Sequence, residues 1–246
     1  MRVVATASIK GGVGKTATAV NLAAEATRGG VRVLLWDLDP QGSATYLIRA
    51  EHRLTGGGVR DLLSGAAELA TEVRATCVEG LHVLPSDLSL RYLDRHLDAA
   101  GKPRRRLGQL LAPLAPAYDL VVLDCPPGAS LGIESALRAT DLLLVPVVPT
   151  TLAMLTLTQL EELVASDRRA PQLLAHVSML DRRKALQVET AAQLATRADV
   201  LDTVVPNTTA VERMGPERAP VRAFAPSSPA TAAYEQLWAE LSARLW

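Results

Sequence analysis

The run Lys10-Gly11-Gly12-Val13-Gly14-Lys15-Thr16 decides how this chain is read. An apolar stretch, Val3-Val4-Ala5-Thr6-Ala7, precedes it, and an Ala-rich segment with helical spacing follows. A strand, a glycine-rich turn and a helix N-terminus in that order form a phosphate cradle. Backbone N–H groups and the helix dipole converge there on an anion. Lys15 is placed to reach the β- and γ-phosphates, and the Thr16 hydroxyl to ligate Mg²⁺. The ordinary P-loop pattern requires glycine where this chain has Ile9. Instead, the loop opens with a second lysine, Lys10.

Two further pieces of nucleotide machinery follow. Val31-Arg32-Val33-Leu34-Leu35-Trp36 reads as a buried strand that ends in Asp37-Leu38-Asp39-Pro40-Gln41-Gly42. Tyr118-Asp119-Leu120-Val121-Val122-Leu123 reads likewise and ends in Asp124-Cys125-Pro126-Pro127. Both set carboxylates at the C-terminal ends of apolar strands, the edge of an open α/β sheet where ligands bind. Asp124 sits where a carboxylate would hold Mg²⁺ through water. Asp39, in a turn fixed by Pro40 and Gly42, can position an attacking water. The competing reading makes these carboxylates caps of the following helices, but three motifs agreeing in order and context favour the nucleotide reading.

Lysine usage is a separate hint. The chain has lysine only at Lys10, Lys15, Lys102 and Lys184, its other basic residues being arginine, and two of these lysines share one loop. A compact ammonium suits a phosphate cradle better than a planar guanidinium does.

On these residues the chain resembles the deviant-Walker ATPases typified by ParA partition proteins and MinD. The segments 10–16, 37–42 and 124–127 match the ParA branch closely. Leu81-His82-Val83-Leu84-Pro85-Ser86 looks like the family's central strand. Met179-Leu180-Asp181-Arg182-Arg183 looks like its turn after the fifth strand, and Val204-Val205-Pro206-Asn207 and Ala233-Tyr234-Glu235-Gln236-Leu237 like its closing segments. Residues 47–78 and 90–112 are the least distinctive.

The resemblance implies ATP and Mg²⁺ as cofactors and slow hydrolysis to ADP and phosphate. Nucleotide contacts would come from Lys10, Gly11, Gly12, Val13, Gly14, Lys15, Thr16 and Ala17. Thr16, Asp39 and Asp124 would stand on the metal side, and Lys10, Lys15 and Asp39 would be catalytic. The matching family lysine crosses a dimer interface, so Lys10 would complete the site only in an ATP-bound homodimer. Met179 and Pro206 would flank the adenine, with Asn207 nearby where the family usually has arginine; Met179 can equally be core filler. Arg183 matches an arginine that contacts DNA non-specifically, and Arg182, Lys184 and Arg213 would join it. The second arginine of the ParA pattern falls at Ala210. Three adjacent basic residues can equally be a solvated turn. A ParB-like or other cargo-linked protein that stimulates hydrolysis is the implied partner, and the implied location is the cytoplasm, on the nucleoid.

Composition bounds the rest. A chain of 246 residues can bury a substantial core as one domain, residues 1–246. Apolar content of 48% with only 3% aromatics makes that core Ala, Val and Leu. Charge balances at 26 acidic against 26 basic residues, so no global field attracts DNA and a local patch must do so. No secretory leader or transmembrane stretch is visible. Cys77 and Cys125 form neither a CxxC nor a disulfide framework and are poorly placed to share an iron–sulfur cluster, which favours small apolar roles for both. Arg104, Arg105 and Arg106 form a second basic run, read as an exposed helix start.

Alternating patterns predict strands near 2–8, 31–37, 81–85, 119–124, 141–147, 173–179 and 202–205. Helices are expected near 15–28, 105–115, 131–139, 152–166, 185–196 and 229–245. The alternation implies an α/β fold with a mostly parallel, twisted sheet covered on both faces. The last helix bears a stripe, Ala233, Leu237, Leu241 and Leu245, that suits packing on the sheet. A MinD-like protein would instead lay it on a membrane, but its polar face sets Glu235 and Glu240 against Arg244 alone.

Overall fold

The computed structural model describes residues 1–50, 54–99, 101–165, 167 and 169–246. Eight strands form one sheet: β1 (Arg2–Thr6), β2 (Val33–Asp37), β3 (Arg74–Ala75), β4 (Leu81–Leu84), β5 (Leu120–Asp124), β6 (Leu142–Val147), β7 (Gln172–Leu180) and β8 (Val200–Pro206). Their order is β3-β4-β2-β5-β1-β6-β7-β8, parallel throughout except for β3 against β4. The helices are α1 (Lys15–Arg28), α2 (Ser43–Leu47), α3 (Val59–Ser64), α4 (Leu93–Ala99), α5 (Arg106–Leu111), α6 (Leu131–Arg138), α7 (Thr151–Ala165), α8 (Ala185–Leu194), α9 (Thr209–Glu212), α10 (Met214–Glu217), α11 (Val221–Phe224) and α12 (Pro229–Leu245).

The central strands read as unbroken apolar runs because both sheet faces are covered. Alternate side chains feed two separate cores. Val3, Leu34, Trp36, Val121, Leu123, Leu143 and Val145 join the core under α4–α7. Val4, Val33, Leu35, Leu120, Val122, Leu142 and Leu144 join the core under α1 and α12. The stripe on α12 is buried there as expected, with Leu237 and Leu241 at 0% exposure. Ser228 caps that helix, accepting from the Thr231 N–H at 3.1 Å, and Pro229 occupies its first turn, where a missing N–H costs nothing.

Three expectations need correction. The strand at Leu81–Leu84 is not central: it stands second from the edge, beside the short β3. The helix expected over 105–115 shortens to α5 between two 3-10 turns, Pro103–Arg105 and Ala112–Leu114. Pro113 lacks the N–H that would continue the α-helical ladder. Cys77 is exposed rather than buried, whereas Cys125 is buried. The expected end of α7, Ser166, lies outside the described residues. The short helices α2–α4 and α9–α11 had no periodic signal long enough to announce them.

Candidate functional site

In a parallel sheet the C-terminal strand ends share one edge, and here that edge gathers the motif residues. Thr6 on β1 is in register with Asp124 on β5, and Asp124 with Asp37 on β2. The loop 8–14 leaves β1 above this row and enters α1. Gly14 caps α1 in the left-handed region, at φ +93°, and accepts from the Thr18 N–H at 2.8 Å. No acidic side chain stands in the first turn of α1, so its positive end stays free for an anion. A Cβ added at Gly11 or Gly12 would meet nothing within 4 Å: the loop faces open space. A Cβ at Gly14 would come within 2.9 Å of Ser178 Oγ, so the loop can lie this close to β7 only as glycine.

Lys15 is 7% exposed, and its ammonium donates to the Lys10 carbonyl at 3.4 Å. Burial lowers its pKa, while Asp124, Asp39 and Cys125 act in the opposite direction. These groups therefore lie within electrostatic reach of one another. Lys10 itself is exposed, and among the described residues its ammonium has no ion-pair partner.

Asp124 is fully buried. Its Oδ1 accepts from the Thr6 hydroxyl at 3.4 Å, and the Thr16 hydroxyl also bonds to the carboxyl. Burial pushes its pKa up; Asp37 adds to the rise, and Thr16 and Lys15 oppose it. Asp124 Oδ2 has no hydrogen-bond partner. Leaving a buried acceptor unmade costs about 1–3 kcal/mol. A hydrated Mg²⁺ would supply the missing donor, so Thr16 and Asp124 fit that ion.

Sequence reasoning passed over the residues that fix Asp39. Asp37 Oδ2 accepts from the Thr45 N–H at 2.8 Å and the Thr45 hydroxyl at 2.7 Å, which ties the strand end to α2. Asp37 Oδ1 accepts from the Asp39 N–H at 3.2 Å. The Ser86 N–H donates to Thr45 Oγ1 at 2.9 Å, and the Ser86 hydroxyl donates to the Asp39 carbonyl. Gly42, at φ +68°, closes the turn with its N–H on the Asp39 carbonyl at 2.9 Å. Asp37 is thus a brace for the turn, and its side chain is saturated by it. An aspartate two residues before Asp39 in a rigid turn was the available signal.

Two more supports come from β7. The Ser178 hydroxyl donates to the Val13 carbonyl at 3.0 Å, holding the loop from behind. His176, 0% exposed, meets the Thr18 hydroxyl at 3.4 Å. Burial pushes its imidazole pKa down to about 4. Neither contact has a sequence signature, because each spans more than 150 residues.

On the far side, Met179 and Pro206–Asn207 do come together. Pro206 is in register with Leu180, and the Asn207 N–H donates to the Leu180 carbonyl at 3.0 Å. Met179 lies in a register irregularity of β7 with φ +55° and is half-buried. The basic residues are less united. Arg182, Arg183 and Lys184 form an exposed turn after β7, in which Arg183 pairs with Asp181 of the same turn at 2.8 Å. That guanidinium holds the Asp181 carboxyl down near 2. Arg213 belongs to another segment, paired with Glu217 at 2.5 Å and stacked 5.3 Å from the Phe224 ring centre.

A family model described as an AAA domain matches residues 1–172. The chain is 37% identical to the chromosome-partitioning ATPase Soj of Thermus thermophilus, covering 100% of this chain and 97% of that one. It belongs to the ParA/MinD family of P-loop ATPases. Over 98% of both chains it is 32% identical to the sporulation initiation inhibitor protein Soj of Bacillus subtilis. A crystal structure of cobyrinic acid a,c-diamide synthase from Mycobacterium smegmatis with bound ADP and magnesium superposes with TM-score 0.81. That match has 27% identity and covers 98% of this chain and 94% of the other. The loop, the Asp39 turn and Asp124 all lie within the matched residues 1–172.

Proposed function

We propose that residues 1–246 are one slow Mg²⁺-dependent ATPase unit that works as a dimerisation switch on non-specific DNA. The observation that carries this reading is the division of labour between the two loop lysines. Lys15 is buried in its own cradle, whereas Lys10 is exposed and without a carboxylate partner among the described residues. Lys10 borders a small cleft shared with Val147, Val148 and Ala153 at the start of α7. Leu152 and Leu155 on that helix are 63% and 55% exposed. A cation beside exposed leucines at the mouth of a phosphate site suits burial against a second copy.

Bound Mg²⁺ and ATP would supply a charge-neutralised γ-phosphoryl group for transfer to water. Lys15 and the loop N–H groups would hold the phosphates, and Thr16 and Asp124 the metal shell. Asp39, its backbone locked by Asp37, Thr45 and Ser86, would orient the attacking water. Met179, Pro206 and Asn207 would face the base. Hydrolysis would then release the dimer and reset the switch. A cargo-linked protein would set its timing, as ParA-type partners do by resemblance.

DNA would meet Arg182, Arg183 and Lys184, with Arg213 as a separate contact. Of these, Arg183 and Arg213 must leave carboxylates of their own chain to engage phosphate. Such binding should weaken with salt through counterion release. A membrane-bound alternative is disfavoured because the α12 stripe is already buried, and no helix of the described residues is long and apolar enough to span a bilayer.

The test is retention of a random-sequence DNA duplex with ATP, ADP or no nucleotide, at low and high salt. Wild type should bind with ATP alone, and Lys10→Ala and Arg182→Ala/Arg183→Ala should lose retention. Nucleotide-independent binding, or full retention by Lys10→Ala, would refute the switch.

A further inference from the structure

A second cavity lies away from the loop and its carboxylates. It has a volume of about 900 Å³, near the top of the range of small-ligand clefts. It runs along one face of α6, where Leu131, Glu134 and Leu137 recur at helical spacing. It ends at the turn before β7, where Arg169 and Pro171 line it. That turn is at the N-terminal edge of the sheet, opposite the phosphate cradle.

Its chemistry is of two kinds. The floor is aliphatic, from Leu131, Leu137, Leu163 and Val164. The rim carries five cations against three carboxylates, in a chain whose overall charge is zero. Two of the cations are already neutralised. Arg104 pairs with Glu134 at 2.6 Å, and Arg138 pairs with Asp167. Lys102, Arg105 and Arg169 remain, and among the described residues none has an ion-pair partner. Lys102 and Arg105 come from the turn before α5, and Arg169 from the turn before β7.

We propose that this groove is a docking site for a partner protein's short acidic segment carrying an aliphatic anchor. The anchor would cover the leucine floor, and carboxylates would reach the unpaired cations of both turns. A compact anion such as phosphate suits the site less well. Its free cations come from two separate turns, and Asp98, Glu134 and Asp167 stand among them. A mixed peptide can place its charges beside the free cations and its apolar group beside the floor. The run Arg104–Arg106 thereby divides: Arg104 is paired within the wall, Arg105 is free, and Arg106 donates to the Leu63 carbonyl at 2.8 Å.

The test uses the whole protein and random-peptide display, followed by fluorescence polarisation of the enriched peptides after dye labelling. The expected pool is rich in Asp, Glu and Leu. Binding should weaken by about tenfold or more in Arg105→Glu/Arg169→Glu, as removal of complementary charges predicts. ATP binding by that variant should be unchanged, and its melting temperature reports its fold. Inorganic phosphate and ATP at matched ionic strength should not displace the peptide. A pool without acidic bias would overturn the proposal. So would affinity indifferent to the double charge reversal in a folded variant, or full displacement by phosphate or ATP. Failure of the DNA switch would leave this test untouched, because the groove shares no residue with it.

Discussion

The two sides of the nucleotide cleft are built by different means. The phosphate side is one continuous loop, glycine-rich and seated on a helix N-terminus, with its strain absorbed by Gly12 and Gly14 at positive φ. The proposed base side is assembled from the ends of two strands, and there a methionine, not a glycine, takes the left-handed conformation. The two regions meet at adjacent residues of β7: Ser178 holds the loop through the Val13 carbonyl, and Met179 precedes Leu180, which pairs with Pro206 and Asn207. The pairing of β7 with β8 is irregular between Val177 and Leu180, the stretch that holds both residues. Local sequence can encode the first side; the second exists only once β7 and β8 are paired.

Substitutions should separate the two sides. The largest effect is expected on the phosphate side. Asp39→Ala should reduce ATP hydrolysis by about 10²–10⁴-fold, the range of a positioned acid–base group, while leaving ATP binding measurable. Met179→Ala should change the KM for ATP by only a few-fold. Equal losses of turnover in the two variants, measured by phosphate release, would erase the distinction.

His176 tests whether β7 supports the start of α1 through a buried neutral imidazole. Its folded pKa, about 4, lies below the ordinary value near 6.5. The unfolded chain therefore takes up the proton first as pH falls, and stability is lost between about pH 6.5 and 4. The loss should reach roughly 3 kcal/mol. His176→Gln should flatten that acid limb in urea titrations across this window. An unchanged pH slope would remove His176 from the account.

The smallest effect concerns the left-handed residue. Met179→Gly and Met179→Ala both remove the side chain, but only glycine relieves the backbone. Glycine should be the more stable of the two by about 1 kcal/mol in denaturant unfolding. Alanine equal to or better than glycine would mean that Met179 stores no strain.

Much of the site was legible because its chemistry is contiguous. Lys10 through Thr16, Asp39 and Asp124 each sit at the end of an apolar strand, so strand direction alone brings them to one edge. The periodic helices α1, α6, α7, α8 and α12 were legible for the same reason, with errors of a few residues at their ends. The short helices α2–α4 and α9–α11 were not, since four to seven residues hold too little helical period to detect. The place of β4 near the sheet edge was also hidden, because a buried apolar strand reads alike wherever it pairs.

By itself, then, the sequence determined the alternation of strand and helix, the phosphate loop and the carboxylates at the strand ends. Each follows from local periodicity and from residues adjacent in the chain. Only the tertiary structure decided that Asp37 braces Asp39 through Thr45 and Ser86, that Ser178 holds the loop and that His176 meets Thr18 of α1. It likewise decided that Asp124 keeps one oxygen unpaired and that Lys102, Arg105 and Arg169 line one groove with an aliphatic floor. Those depend on pairs brought together by strand pairing and helix packing across long stretches of chain, where residue type carries no record of its partner.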